Sequence, residues 1–314
     1  MINFRYHVVS ILAVFLALAI GTVMGASFVG RGIIDNLQGR IDRVSERANS
    51  VQAKNDELQG EIDQLNKYVD ETQNFAAARS LVGVRANVVA ERGTDGGTVD
   101  QQVALLRAGS GTVPGVVWLE PKWALTDPGS PDELRAATGL TNRSKPALRN
   151  AAARLLGQRL AATSAPTTDD VLVKLAGAKF VTLAGAAGSP TPTPADFAGA
   201  STRVLEVGGP GHPVPSDLVP SVAAGALDAS GPVAVAEAFV ASDQGPDRAA
   251  WIDAIANADG LRGRISTIDD VELIEGRVGA TLALSELGLG TVGNYGLGRD
   301  RAVPAKIQTV PTAK

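Results

Sequence analysis

The chain has 314 residues, a formal net charge of −4 and no cysteine. This excludes disulfides, thiol nucleophiles and thiolate metal sites, and leaves no basic excess to attract nucleic acid. Aromatic residues make up 4% of the chain, too few for the paired girdles of a transmembrane β-barrel. Two histidines (His7 and His212) and two methionines (Met1 and Met24) are its whole supply of soft metal donors.

Val8 to Val29 is an uncharged apolar run. It is about 22 residues long, or ~33 Å as a helix, enough to cross a ~30 Å hydrocarbon core. Residues 1–32 are therefore expected to be a membrane anchor. The competing reading is a cleaved signal peptide, whose apolar core is shorter, roughly 7–15 residues. Met24 stands where cleavage after Ala26 would need a small residue, whereas cleavage after Ser27 would find Gly25 there. Ala17, Gly21 and Gly25 recur every four residues, a spacing that lets two membrane helices approach closely. Small residues are also common in membrane helices at large. Arg5 precedes the span, while Arg31, Arg40, Arg43 and Arg47 follow it. By charge alone this would hold the remainder in the cytoplasm, but long domains translocate largely regardless of charge. Gly30 and Gly32 are expected to interrupt the helix at the membrane surface.

Residues 33–78 read as a coiled-coil stalk. Position a holds Ile34, Ile41, Ala48, Asn55, Ile62, Val69 and Ala76; position d holds Leu37, Val44, Val51, Leu58, Leu65 and Thr72. β-Branched residues at a with Leu at d favour a parallel dimer. Asn55, the strongly polar a residue, would pair with its counterpart and fix register and strand number at a cost in stability. At g, Arg40, Arg47 and Lys54 face Ser45, Gln52 and Gln59 at e, so no ion pair selects a homodimer over a heteromer. As a helix, residues 34–76 would extend ~65 Å. The alternative is a helix that packs on its own globular domain; six consecutive heptads favour a partner.

From residue 79 to about 300 the periodicity alternates between strand and helix. Strands are expected at Ala86–Ala90, Val113–Leu119, Phe180–Leu183, Arg203–Val207, Val233–Glu237 and Arg264–Ile268. Helices are expected at Thr98–Ala108, 145–162, Asp169–Ala178, Pro246–Ala258 and Gly276–Leu287. Strands separated by helices predict a doubly wound, Rossmann-like α/β domain with a mostly parallel sheet. The stretches Ser189–Pro194 and Gly208–Pro220 are proline-rich and expected to be extended or turning. Residues 301–314 form a tail.

Candidate chemistry in this domain is sparse. Gly93-Thr-Asp-Gly-Gly-Thr98 joins a strand to a helix, but its spacing is not that of a dinucleotide fingerprint and Asp95 would repel a phosphate. A tight turn is the expectation, and no P-loop lysine motif is present. His212 lies in Gly-Pro-Gly-His-Pro and has no second histidine near it in sequence. The pairs Asp169-Asp170 and Asp269-Asp270 read as a helix cap and as solvated loop acids. Gly293-Asn-Tyr-Gly-Leu-Gly298 could shape a binding loop or close on a sheet edge. No catalytic, cofactor or metal residue is assigned, and a non-enzyme is expected.

The opening Ile2-Asn-Phe-Arg-Tyr-His7, the run Val14-Phe-Leu-Ala-Leu-Ala-Ile-Gly21, the coiled coil, the α/β domain and the closing Tyr295-Gly-Leu-Gly298 together resemble actinobacterial MctB-type proteins, also called SteB. The resemblance implies an envelope protein with its large domain outside the cell membrane. It carries two functional descriptions. One is a copper transport protein that lowers intracellular copper; the other is a membrane-anchored partner of a second membrane protein, SteA, in septal envelope assembly. The residues favour the second, because a copper conduit needs soft ligands or a pore. No family metal or catalytic residues carry over.

Overall fold

The computed structural model describes residues 4–164, 169–186, 188–209, 213–238 and 250–296, with backbone only at 26–36, 70 and 250. The chain divides into two compact units, Met1–Lys67 and Tyr68–Lys314.

Helix α1 runs from Phe4 to Ala77. Its first turns, Phe4–Gly25, are long and apolar enough to cross a membrane. The expected interruption at Gly30 and Gly32 does not occur. Glycine in a helix costs about 1 kcal/mol relative to alanine, too little to break a helix that propagates cooperatively on both sides.

The second unit is a three-layer α/β fold. In chain order it contains β1 (Arg85–Glu91), α2 (Gly96–Ala108), β2 (Val116–Leu119), α3 (Ser130–Thr138), α4 (Lys145–Leu160), α5 (Val171–Gly177), β3 (Val181–Ala184), β4 (Thr202–Gly208), α6 (Leu218–Asp228), β5 (Val233–Glu237), α7 (Ala250–Ala256), β6 (Ser266–Ile268), α8 (Ile274–Leu287) and β7 (Asn294–Tyr295). Short 3-10 turns lie at Pro121–Ala124 and Pro194–Phe197. The strands form one open sheet in the order β3-β2-β1-β4-β5-β6-β7. Every neighbouring pair is parallel except β2 with β3. The chain winds outward from β1 in both directions, so β1 and β4 flank the switch point of the sheet.

Both faces of the sheet are covered, which explains why its strands read as nearly continuous apolar runs. On one face, Val89, Val117, Val204, Val233 and Val235 join the buried sides of α3 to α7, with Trp123 edge-on to Phe180 at 5.3 Å between ring centroids. On the other, Val88, Ala90, Leu205, Val207, Ala234 and Ile268 join α2 and α8. Helices α4 and α6 cross at two glycines. A Cβ on Gly157 would strike the backbone of Val222, and one on Gly225 the backbone of Arg154. These residues can only be glycine if the two helices are to approach this closely.

The expected strands and helices of this unit are present, some longer and some shorter at their ends. The strand expected from Val113 starts at Val116, because Pro114 and Gly115 hold the chain out of the ladder. The start of the helix expected at Pro246 lies outside the described residues; α7 occupies the remainder. Two helices were not anticipated. Helix α3 is short, with Pro131 at its start and Asp132 and Glu133 in its first turn. Helix α6 begins inside the stretch expected to be extended as far as Pro220. That proline falls in the first helical turn, where its missing N–H forfeits no intrahelical bond.

Candidate functional site

The first candidate surface is the apolar face of α1. Leu37, Ile41, Val44, Val51, Leu58, Ile62 and Leu65 are between 45% and 69% exposed. They recur at spacings of three, four or seven residues, so the helix carries them on one stripe. Asn55 lies exposed in the same stripe and Val69 is half-buried; the side chain of Ile34 lies outside the described residues. Exposed leucine and isoleucine in water are unfavourable by ~1.5–3 kcal/mol each relative to burial, which makes this stripe a candidate docking surface. On the apolar turns, Ala17, Gly21 and Gly25 line a shallow concavity with Val14, Leu18 and Thr22. Neither Gly21 nor Gly25 has any atom within 4 Å of where a Cβ would stand, so the groove is open to a neighbouring helix.

The second candidate is the carboxyl edge of the sheet, where doubly wound proteins place ligands. Side chains two residues apart share a face, so Glu91, Glu206 and Glu237 extend the rows begun by Val89, Val204 and Val235. Register sets Gly208 beside Glu237, and Glu91 lies one residue beyond the Ala90–Val207 pair. Three glutamates thus surround Gly208 on adjacent strands β1, β4 and β5. All three are at most 2% exposed. The carboxylate of Glu91 and the ring edge of Trp251 lie over Gly208, filling the space a side chain would need. Glu91 accepts a hydrogen bond from the Gly209 N–H at 3.2 Å, and Glu237 one from the Ile252 N–H in the first turn of α7 at 3.3 Å. Glu206 differs: among the described residues neither of its oxygens has a hydrogen-bond partner. Burial, reinforced by the neighbouring Glu91 charge, pushes its carboxyl well above the ordinary glutamate range.

Asp269 and Asp270 continue this edge beyond β6 and are fully buried, correcting their reading as solvated loop acids. Asp269 packs against Gly296, and the Asp270 backbone against Gly276; a Cβ at either glycine would collide with them. Asp170 is likewise buried. It caps α5, accepting from the Leu172 N–H at 2.9 Å, and pairs with Arg159 at 2.8 Å. Asp169 beside it is exposed and pairs with Lys174 at 2.5 Å. The sequence signal for the buried acids was their position at the ends of apolar strands, but an acid there equally begins an ordinary loop.

The turn at Gly93–Thr98 is a helix start. Asp95 accepts from the Thr98 N–H at 2.8 Å and from its hydroxyl at 3.1 Å, occupying the site an anion would use, and these bonds hold its carboxyl below the usual aspartate range. Of the Gly293–Gly298 segment, the described part closes on the sheet edge as β7. Tyr295 donates to the Glu286 carboxylate, and burial raises its phenol pKa. His212 lies outside the described residues. Among the described residues, no group of three or more His, Cys, Asp or Glu side chains is arranged to hold a metal ion.

The described residues combine an N-terminal helix long and apolar enough to cross a membrane, a long exposed amphipathic continuation and a doubly wound α/β unit. The chain belongs to the family described as "Copper transport outer membrane protein, MctB", whose model matches residues 1–304. The resemblance seen in the N-terminal motif is thereby borne out, and the chain is a copper-transport-related protein of the cell envelope. No curated protein matches it.

Proposed function

We propose that this protein is a single-span, non-enzymatic scaffold of the cell envelope. It is anchored by residues 1–32, pairs through a parallel coiled coil over 34–76, and presents its α/β domain outside the cell membrane to a second membrane protein of the SteA kind. The observation that carries this reading is the exposed apolar stripe from Leu37 to Leu65, which has no use in an isolated chain. The protein pairs either with a second copy or with the partner's helix. Copper phenotypes would then follow from altered envelope permeability.

The family description supports a second reading, a copper efflux component with copper as its cargo. Its difficulty is the donor set: beyond the span, His212 is the chain's one soft ligand. The mass of the complex from gently solubilised membranes tests both readings. Two chains, or one chain type with a stoichiometric membrane partner, is the expected result. A monomer would sink the scaffold, and a ring of many identical chains that passes copper in liposomes would establish the conduit. Within the scaffold reading, Asn55→Ile raises the stability of the coiled coil while relaxing its strand number, measured by thermal melting and by mass. A weaker assembly of unchanged stoichiometry would place Asn55 outside the seam.

A further inference from the structure

We infer that the membrane-proximal stalk pairs in parallel with a helix of a different protein, one that carries acidic residues at three successive e positions. This rests on the coiled-coil reading above and deepens it by naming the partner's chemistry.

In a parallel coiled coil each g residue meets the e residue of the following heptad on the facing helix. Arg40, Arg47 and Lys54 are successive g residues, and all three are exposed. Among the described residues none of the three forms an ion pair within the helix; the ion pairs from Arg92 to Asp228 all lie in the other unit. Arg43, the remaining nearby cation, turns its Nε to the Gly39 carbonyl at 2.8 Å. In a homodimer these g cations would face Ser45, Gln52 and Gln59, none of them charged. Two of those e amides are already engaged within their own helix: Gln52 donates to Asp56 and Gln59 to Asp63, each at 2.9 Å. Asp56 and Asp63, like Asp42, occupy b positions on the outer side of the helix. A second copy therefore supplies no acid at the seam, while it doubles the row of cations along it.

The charge requirement is local. At g, Lys54 is followed by Glu61 and then by Tyr68 and Phe75, which are 64% and 83% exposed. The basic row thus spans three heptads and gives way to an aromatic one. A partner helix with Glu or Asp at e opposite Arg40, Arg47 and Lys54, and no acid opposite Glu61, matches this pattern. Because the e row of this chain is neutral, the partner's g residues are not selected. Discrimination comes from one flank.

The test uses the full-length protein in lipid nanodiscs and two synthetic peptides. Both carry Ile at a, Leu at d, Asn opposite Asn55 and Gln at g; one has Glu and the other Lys at e. The Glu peptide is expected to bind roughly thirtyfold tighter at low salt, from three attractive pairs exchanged for three repulsive ones. The gap narrows at high salt. In the variant Arg40→Glu, Arg47→Glu, Lys54→Glu the preference reverses; these exposed positions leave the fold intact. Equal binding of the two peptides, or a stable homodimer that binds neither, overturns this inference and leaves the coiled coil standing. A monomeric protein that binds neither peptide overturns the coiled coil and this inference together.

Discussion

Replacing Glu206 by glutamine should make the α/β domain more stable, by an amount that grows with pH. Glu206 is fully buried, neither oxygen has a partner among the described residues, and the Glu91 carboxylate is close enough to disfavour a second charge. Its folded pKa is raised above the ordinary value of 4.5. The folded state then binds the proton that the unfolded state releases. The group's contribution is full below about pH 4.5 and is lost as pH rises toward the folded value. The slope is at most ~1.4 kcal/mol per pH unit. Glutamine has nearly the same shape and no proton to lose. At pH 5 variant and parent should agree within about 1 kcal/mol; above it the variant should melt progressively higher, by at most ~3–6 °C per pH unit for a domain of this size. Glu206→Met should behave alike, since the side chain gives up no hydrogen bond. The assay is thermal unfolding of the full chain in nanodiscs between pH 5 and 8. A melting difference between parent and glutamine variant that stays constant across that range would refute the reasoning, because Glu206 would then titrate alike in both states.

Gly157→Ala should destabilise the domain by about 1–3 kcal/mol, because the added methyl drives α4 off the Val222 backbone; Gly225→Ala should do the same from the other side, and denaturant midpoints measure both. If either variant matches the parent, α4 and α6 are not in register as described. Asp170→Ala removes the α5 cap and leaves Arg159 buried beside the Pro194 carbonyl without its counter-ion, a loss of about 3–5 kcal/mol in the same assay. A loss under about 1 kcal/mol would mean that solvent reaches Arg159.

The layered α/β architecture was legible because the strands carry their own signal. Val233–Glu237 and Ala86–Ala90 are apolar runs too short for helices, and the segments between them have helical spacing. Helix α6 was not legible. Gly208–Pro220 holds the residues that usually end structure, and position decided the matter, with Pro220 falling in the one turn that tolerates it. The unbroken course of α1 through Gly30 and Gly32 was lost for a related reason: residue type gave a local penalty, and the long helix on either side outweighed it. At the carboxyl edge, Glu237 was readable as a strand end, Glu91 as the residue after one and Glu206 as a residue within one. Their convergence was not, because it depends on the order of β1, β4 and β5, which no local pattern encodes. The apolar stripe of α1 was readable because its repeat is contiguous in sequence, and Leu37 to Leu65 lie exposed along one helix.

The carboxyl edge also bears on whether the domain performs chemistry. Carboxylates work as acid and base when their surroundings separate their proton affinities. Here the surroundings differ: Glu91 and Glu237 accept from backbone N–H groups, whereas Glu206 accepts from none among the described residues. Such chemistry also needs a space for the reacting molecule about 3 Å from the acid. Above Gly208 that space is taken by the Glu91 carboxylate and the Trp251 ring. The glycine serves to admit these two side chains, and the resulting packing seals the switch point of the sheet. A buried acid whose carboxyl is raised by its surroundings makes the stability of the domain depend on pH. For this reason Glu206→Gln is also the variant that separates the two roles. A structural acid gains stability and loses no partner binding when it is replaced, whereas a working one would lose its activity with its proton.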